Sequence, residues 1–375
     1  MARIENVLIV GGGIAGVTLA VGLAQKGIRA EIVEINPEWS VLGVGLSLTG
    51  PTLRALGQIG LRDECLATGY PFSEIVVCDG DSKVLERMDM PRVNGPDYPA
   101  MCAIGRPGLH RILVDASKRS GIRARLGTTV RTLATVGDKV EVEFMDGTSA
   151  SYDLVVGADG VHSKVRSMIF PDAPQPWFTL QACWRYTMPR WPDVTAMHLY
   201  YGPRSKAGLN PNSPDEMFLF LVTNISDNSR LPAGRECELL LDEMRDFSGA
   251  AGEIRQFITD NAKVDYRPME ALLMPPPWHR GRVLLIGDAA HTTTPHLATG
   301  AGISIEDAVV LAEMITLDSP VDALLAKFVE RRFSRCKLVV ETSIQMSRWE
   351  RFPDTPGADP IGVSRRAFAI LAEPM

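Results

Sequence analysis

The sequence predicts an α/β protein in which a parallel strand-and-helix domain is interrupted by an inserted, mostly antiparallel β-sheet and followed by C-terminal helices. Three observations carry this. Apolar strands run into Gly-containing turns at three distant places: Val7-Leu-Ile-Val-Gly-Gly-Gly-Ile-Ala-Gly16, Leu154-Val-Val-Gly-Ala-Asp-Gly160 and Arg282-Val-Leu-Leu-Ile-Gly-Asp-Ala-Ala-His291. The first turn opens a strand, helix, strand alternation. Two other stretches, 72–98 and 178–275, are instead rich in β-branched, aromatic and Pro residues.

Along the chain, Val7 to Val10 reads as a buried strand, Ala15 to Lys26 as a helix ended by Gly27, and Ala30 to Glu34 as the next strand. Pro51, favoured at a first helical position, starts a helix with Leu53, Leu56 and Ile59 at core spacing. A further helix is predicted from Pro107 to about Arg119, and Val140 to Phe144 alternates as a strand before the turn Asp146-Gly147. The runs Gln181 to Thr187, Met197 to Tyr201 and Met217 to Val222 are the strands of the inserted sheet. Pro275-Pro-Pro277 marks the return to the first domain, and Ile303 to Ile315 carries apolar residues at helical spacing. From about Pro353 the chain reads as irregular, with a short helix near Arg365 to Leu371. The expected division is 1–71, 99–177 and 276–352 for the first domain, 72–98 and 178–275 for the inserted one, and 353–375 for the tail.

Composition narrows the function classes. A chain of 375 residues with 45% apolar side chains can bury a sizeable core, and its net charge of −6 lacks the dense basic surface that nucleic acid or an anionic membrane requires. The six cysteines are scattered, with no Cys-x-x-Cys and no zinc-site spacing. No metal is expected, and reduced thiols in a cytoplasmic protein are. Val7 to Leu23 is apolar enough to resemble a signal-peptide core, but three consecutive glycines and Glu5 fit a strand passing into a buried helix better. No stretch is long and apolar enough to span a bilayer. A homodimer is left open.

The chemistry lies in the turns. Gly11-x-Gly13-x-x-Gly16 follows a strand and starts a helix, so its backbone N–H groups can approach a pyrophosphate at the positive helix terminus, while Glu34 can accept from ribose hydroxyls. Three such turns, more than a hundred residues apart, suggest one long cofactor touched at several points, and FAD fits best. A carboxylate at Asp288 can accept from ribityl hydroxyls. In Asp159-Gly160-Val-His-Ser163-Lys-Val-Arg166 the acid and serine could meet the cofactor or cap a helix. Pro295-His-Leu-Ala-Thr-Gly300-Ala301-Gly302 leads into a helix whose small first residues leave N–H groups bare, suited to the negative charge of a reduced flavin.

The glycine motif with Glu34, Ile104-Gly-Arg106-Pro-Gly-Leu109, Asp159-Gly160-x-x-Ser163-x-x-Arg166 and Gly287-Asp288-Ala-Ala-His291-x-x-x-Pro295 occur in one order. In this the chain resembles the single-component (group A) FAD-dependent aromatic monooxygenases typified by para-hydroxybenzoate hydroxylase, most closely the salicylate and 6-hydroxynicotinate hydroxylase branch. The resemblance implies a Rossmann-like FAD-binding domain with Gly11, Gly13, Ala15, Gly16 and Glu34 around the ADP part. Arg106 would lie near the phosphate and ribityl region, Val130 near adenine, and Asp159 and Gly160 where FAD and NAD(P)H bind. Asp288 would hold the ribityl chain, and Pro295, Gly300, Ala301 and Gly302 would border the flavin ring. It further implies NADH or NADPH as co-substrate, and transfer of one oxygen of O2 from a flavin C4a-hydroperoxide to a small electron-rich aromatic or N-heteroaromatic ring bearing hydroxyl, amino or acid groups.

Substrate contacts are expected from one face of the inserted sheet: Trp184 and Tyr186, or His198 and Tyr200, share a face, and Arg185 and Tyr201 take the other. Tyr201, Lys206, Arg185, Phe218 and His296 are the candidates, with Lys206 or Arg185 able to hold a carboxylate. His291 is read as structural. The halogenase motif Trp-x-Trp-x-Ile-Pro and a C-terminal thioredoxin-like domain are absent. An oxidase or ring-opening oxygenase would share every cofactor motif, and a non-catalytic flavin-binding protein is the third reading.

Overall fold

The computed structural model describes residues 4–40 and 43–375. Its first layer is a six-stranded sheet in the order His279–Arg280, Val283–Leu285, Leu154–Gly157, Asn6–Val10, Arg29–Glu34, Arg123–Leu126, parallel except at the first pair. The register sets Val10 beside Gly157 and Gly157 beside Leu285. The three glycine turns therefore leave the sheet side by side, at its carboxyl edge.

The helix Ile14–Gln25 is buried from Ile14 to Leu23 because it is wedged between this sheet and the helix Gly300–Met314. Close approach needs Gly22, where a Cβ would stand 2.9 Å from that of Ala312. The helix Arg106–Arg119 packs beside it, and the strands Val130–Val136, Lys139–Phe144 and Ser149–Tyr152 form a small antiparallel sheet. Another small sheet, Gly45–Thr49, Met101–Gly105 and Tyr70–Phe72, leads toward the inserted strands.

The inserted sheet has seven strands, in the order Val264–Ala271, Trp177–Pro189, Glu216–Asn224, Ser205–Pro211, Met197–Tyr201, Glu74–Asp79, Val84–Asp89. Its one parallel pair joins Met197–Tyr201 to Glu74–Asp79. On one face Trp184, Tyr186, Tyr200, Leu209, Leu219 and Leu221 share a core with Leu240, Met244, Phe247, Ala251 and Ile254 of the covering helical segment. The opposite face carries Cys183, Arg185, Tyr201, Lys206, Phe218, Phe220 and Val222, since directly paired residues point the same way. It meets the first domain at Gly45, where a Cβ would lie 2.5 Å from Asn212 Oδ1 and 2.7 Å from the Phe218 ring.

The tail departs from expectation. Instead of an irregular end with a short helix, Pro360–Ala372 is a thirteen-residue helix. Asp359 caps it by accepting from Gly362 N–H at 2.7 Å, with Pro360 at the first helical position. Arg335 and Arg54 donate to the carbonyls of Leu371, Ala372 and Glu373 at its end. Tertiary donors thus satisfy the C-terminal carbonyls that a sequence reading leaves bare. Among the described residues, no helix is long and apolar enough to cross a membrane.

Candidate active site

At the first turn, Gly11 has φ +111°, and a Cβ there would stand 2.3 Å from Ala158 O, so the second turn presses directly on the first. Only glycine permits both the angle and the approach. Glu34 closes the end of its strand by accepting from Gly12 N–H at 2.7 Å and from Asn36 N–H at 2.9 Å. His110 Nε2 meets Gly12 O at 2.8 Å, tying the helix Arg106–Arg119 to the same loop. Gly13 faces open space, with nothing within 4 Å of a built Cβ, at the head of the helix Ile14–Gln25. Ala15 and Gly16 lie in that helix's first turn, and Gly16 packs on Gly11 O. Val130 is buried at the start of its strand; Thr128 N–H, two residues earlier, donates to Glu34 O.

Asp288 is half-buried at the end of its turn. Burial raises its carboxyl above the usual carboxylate value, and Arg106 and His291 oppose the rise. The guanidinium of Arg106 is itself largely surrounded by protein, and its buried Nε has no acceptor among the described residues. A carboxylate and a guanidinium within each other's field, next to a turn that packs on the first turns of the helices Ile14–Gln25 and Gly300–Met314, suit a ligand with hydroxyls and phosphates, and FAD has both. Pro295 is exposed at the rim, and Ala298 takes φ +50° just before Gly300 and Ala301, a strained loop at the head of the helix Gly300–Met314.

The side chain of Asp159 and the Cβ position of Gly302 both face the protein. Asp159 turns back on its own helix, accepting from Lys164 N–H at 2.7 Å, Val165 N–H at 3.1 Å and Ser163 Oγ at 2.5 Å, while Ser163 caps Arg166 N–H. Of the two readings of that motif, the cap describes its side chains, and Gly160 supplies the left-handed turn at φ +82°. Gly302 faces the helix Gly50–Gln58, where a Cβ would meet Thr52 Oγ1 at 2.3 Å. Close helix packing, rather than an open face toward a ligand, requires glycine there.

Against the Gly287 turn lies a polar network that the sequence reading did not find. Asp307 accepts from Gly287 N–H at 3.0 Å, His291 Nε2 at 2.6 Å and Arg332 Nε at 2.8 Å, all without solvent exposure. Burial alone would raise its carboxyl, but the His291 and Arg332 charges and these donors hold it at about 2. Arg332 and Arg335 share Glu306. The network fixes the turn that presents Asp288.

On the sheet side, Lys206 forms a buried ion pair with Glu350 of the long helix Val321–Arg351. The second oxygen of Glu350 accepts from His296 Nε2 at 3.1 Å, and Thr294 Oγ1 lies 2.9 Å from His296 Nδ1. A carboxylate only accepts, so the imidazole proton sits on Nε2. Burial lowers the His296 pKa, leaving the ring neutral at pH 7. Glu350, pushed up by burial, is held at about 2 by His296 and Lys206. Burial raises the Tyr201 hydroxyl, which stays protonated beside this pair. Lys206 is thus no free carboxylate binder, and Arg185 too has an acid, Asp265 at 3.4 Å. Phe218 is buried next to Phe220, ring centroids 6.1 Å apart.

Glu350 had a readable signal, since Ser343, Met346, Ser347 and Glu350 follow the inward stripe of a helix. Asp265 had none. Asn210 and Asn212, both buried with Oδ1 unpartnered, sit among residues of turn-like composition and were also missed.

The sequence profile of the family described as FAD binding domain matches residues 5–343. The chain is 31% identical over 357 residues to the 2-heptyl-3-hydroxy-4(1H)-quinolone synthase of Pseudomonas aeruginosa, covering 92% of this chain and 90% of that one. It is 30% identical over 353 residues to 3-hydroxybenzoate 6-hydroxylase 1 of Aquipseudomonas alcaligenes, covering 88% and 86%. Its fold matches that of Klebsiella pneumoniae HpxO, solved with FAD and uric acid, with a TM-score of 0.84 at 21% identity over 99% and 93% of the two chains.

Proposed function

Given that the chain belongs to the FAD binding domain family and is an FAD-dependent monooxygenase, we propose that it uses NADH or NADPH and O2 to hydroxylate a small electron-rich aromatic or N-heteroaromatic ring. The observation that carries this is the side-by-side exit of the three glycine turns, with the Pro295–Leu297 loop tied through His296 and Glu350 to Lys206 on the inserted sheet. Bound FAD would supply the redox and oxygen-activating chemistry. Gly13, Glu34, Arg106 and Asp288 would hold it.

The remaining work falls to the chain's own residues. N–H groups at the head of the helix Gly300–Met314 favour negative charge on the flavin side of the pocket. Phe218 and Phe220 exclude water and hold the ring, and the protonated Tyr201 hydroxyl is the donor we assign to a ring substituent. Both nitrogens of His296 are engaged by the protein, so its part is to keep the loop and Glu350 in place. The relatives named for a quinolone and for 3-hydroxybenzoate bracket the ring systems worth testing. We place the two domains near the boundaries expected from sequence, supported by one core under each large sheet, although Met101 and Ala103 pack into the inserted domain's core and Leu272 and Met274 into that of the first. A cytoplasmic setting suits six free cysteines, five of them buried. Light scattering tests for a homodimer.

The deciding experiment supplies labelled O2 with a panel of hydroxylated benzoates, pyridines and quinolines. Substrate-stimulated NAD(P)H consumption with one labelled oxygen in the product is expected. Unlabelled product points to an oxidase, and a cleaved ring to the ring-opening reading. In the same assays Asp288→Ala is expected to weaken FAD binding by about 2 kcal/mol, the loss of a charged acceptor. Unchanged FAD retention after dialysis would remove Asp288 from the site.

A further inference from the structure

Three cations stand on the sheet face that meets the Pro295–Leu297 loop: Lys206 has an acid to itself in Glu350, while Arg185 and Arg267 share Asp265. Lys206 and Glu350 are both more than nine-tenths buried. Arg185 and Asp265 are about four-fifths buried, and Asp265 also meets Arg267 toward solvent. The surrounding face is apolar. Val222 pairs across from Lys206 and Cys183, and Phe220 lies over Gly208, where a Cβ would come within 2.2 Å of its ring.

A ring carboxylate brought to Lys206 would have to displace Glu350, leaving that acid buried without compensation. A neutral ring leaves the pair intact. The other groups facing the pair bring no positive charge: Tyr201 is a protonated phenol, and the His296 ring is neutral and donates to Glu350. On the same face Asn210, which pairs with Phe218, has a buried Oδ1 without a partner among the described residues, and its Nδ2 donates to Ser47 Oγ at 2.9 Å. A carboxamide oxygen receives an N–H or O–H and repels a carboxylate.

Building on the monooxygenase reading, we propose that Glu350 is a specificity-determining residue: by occupying Lys206 it selects uncharged aromatic or N-heteroaromatic rings and excludes ring carboxylates. Releasing Lys206 should then reverse the preference.

The test uses the FAD-loaded protein and two matched pairs of ligands, 4-hydroxyquinoline with kynurenate and 3-hydroxybenzamide with 3-hydroxybenzoate. Dissociation constants are read from the perturbed flavin absorbance. The parent should bind each neutral member at least about tenfold more tightly than its acid, and Glu350→Gln should shift that ratio toward the acid by about tenfold or more. A parent that prefers the acids, or a ratio that Glu350→Gln leaves unchanged, overturns the proposal. Where Glu350→Gln fails to hold FAD, the double variant Lys206→Met with Glu350→Leu replaces it. That variant should keep the neutral preference, and loss of the preference there also overturns the proposal. NAD(P)H oxidation is scored separately. Absence of stimulation by any ligand counts against the monooxygenase reading, while the binding ratios still judge Glu350.

Discussion

Gly13→Val is expected to yield a folded protein that no longer holds FAD. The backbone of Gly13, at φ −75° and ψ −174°, is ordinary extended chain that a β-branched residue adopts without strain. Its Cβ would touch nothing among the described residues. The new side chain would fill only the space before the helix Ile14–Gln25, where the first N–H groups have no intrahelical partner and a pyrophosphate would sit. Losing two charge-assisted hydrogen bonds costs about 3–6 kcal/mol, a hundredfold or more in affinity. The contrast is Gly16→Val, whose Cβ would stand 2.0 Å from the backbone oxygen of Gly11 and should prevent folding. The measurement is the flavin-to-protein absorbance ratio beside the far-ultraviolet circular dichroism. Parental flavin content in Gly13→Val would move the pyrophosphate elsewhere.

Asp307→Ala should be the most damaging change away from the cofactor, destabilising the protein by about 3–5 kcal/mol. It would leave the buried guanidinium of Arg332 with Glu306 as its remaining acid, deprive His291 of its acceptor and free Gly287 N–H. Because Gly287 precedes Asp288, FAD affinity should fall with stability. Asp307→Asn keeps the shape but presents an NH2 to donors, so it should be impaired too. Thermal unfolding with and without FAD checks both. The acid limb of stability gives an independent reading. Asp307 and Glu350 ionise at about 2 in the folded protein, below their ordinary 3.8 and 4.5. Depressed folded values mean that their stabilisation is complete above about pH 4.5 and disappears as pH falls toward 2. Asp307→Ala should flatten that fall, and a parent equally stable at pH 2.5 and 6 would contradict it.

The glycine turns, their flanking strands and helices, and the fold class were legible because each rests on local geometry. A strand that must turn sharply and bring its backbone close to a neighbour needs glycine wherever it lies in a fold. The alternation of the inserted strands likewise showed which residues share a face, separating Trp184 and Tyr186 from Arg185. It could not show which face borders the cofactor. That was decided by the segment Glu236 to Ile254, which buries the Trp184 face in a core of its own and leaves Arg185, Tyr201 and Lys206 toward the first domain. Asp159 shows the same limit at short range: its spacing served a cap and a ligand equally, and the cap its carboxylate makes shows only in the folded helix at Lys164.

Charge was the least legible property. Lys206 looks like a free cation in sequence, yet its acid is 144 residues away on a helix of another layer. Periodicity specifies which side of an element turns inward, because that follows from the element's own repeat. It carries no information about which groups from distant elements meet there. The sequence by itself determined the cofactor-type turns and the two kinds of sheet. The tertiary structure alone decided the pairings of Lys206 with Glu350, Arg185 with Asp265 and Asp307 with Arg332, because an ion pair in a low-dielectric interior is set by ångström-scale distance between side chains and not by their separation along the chain.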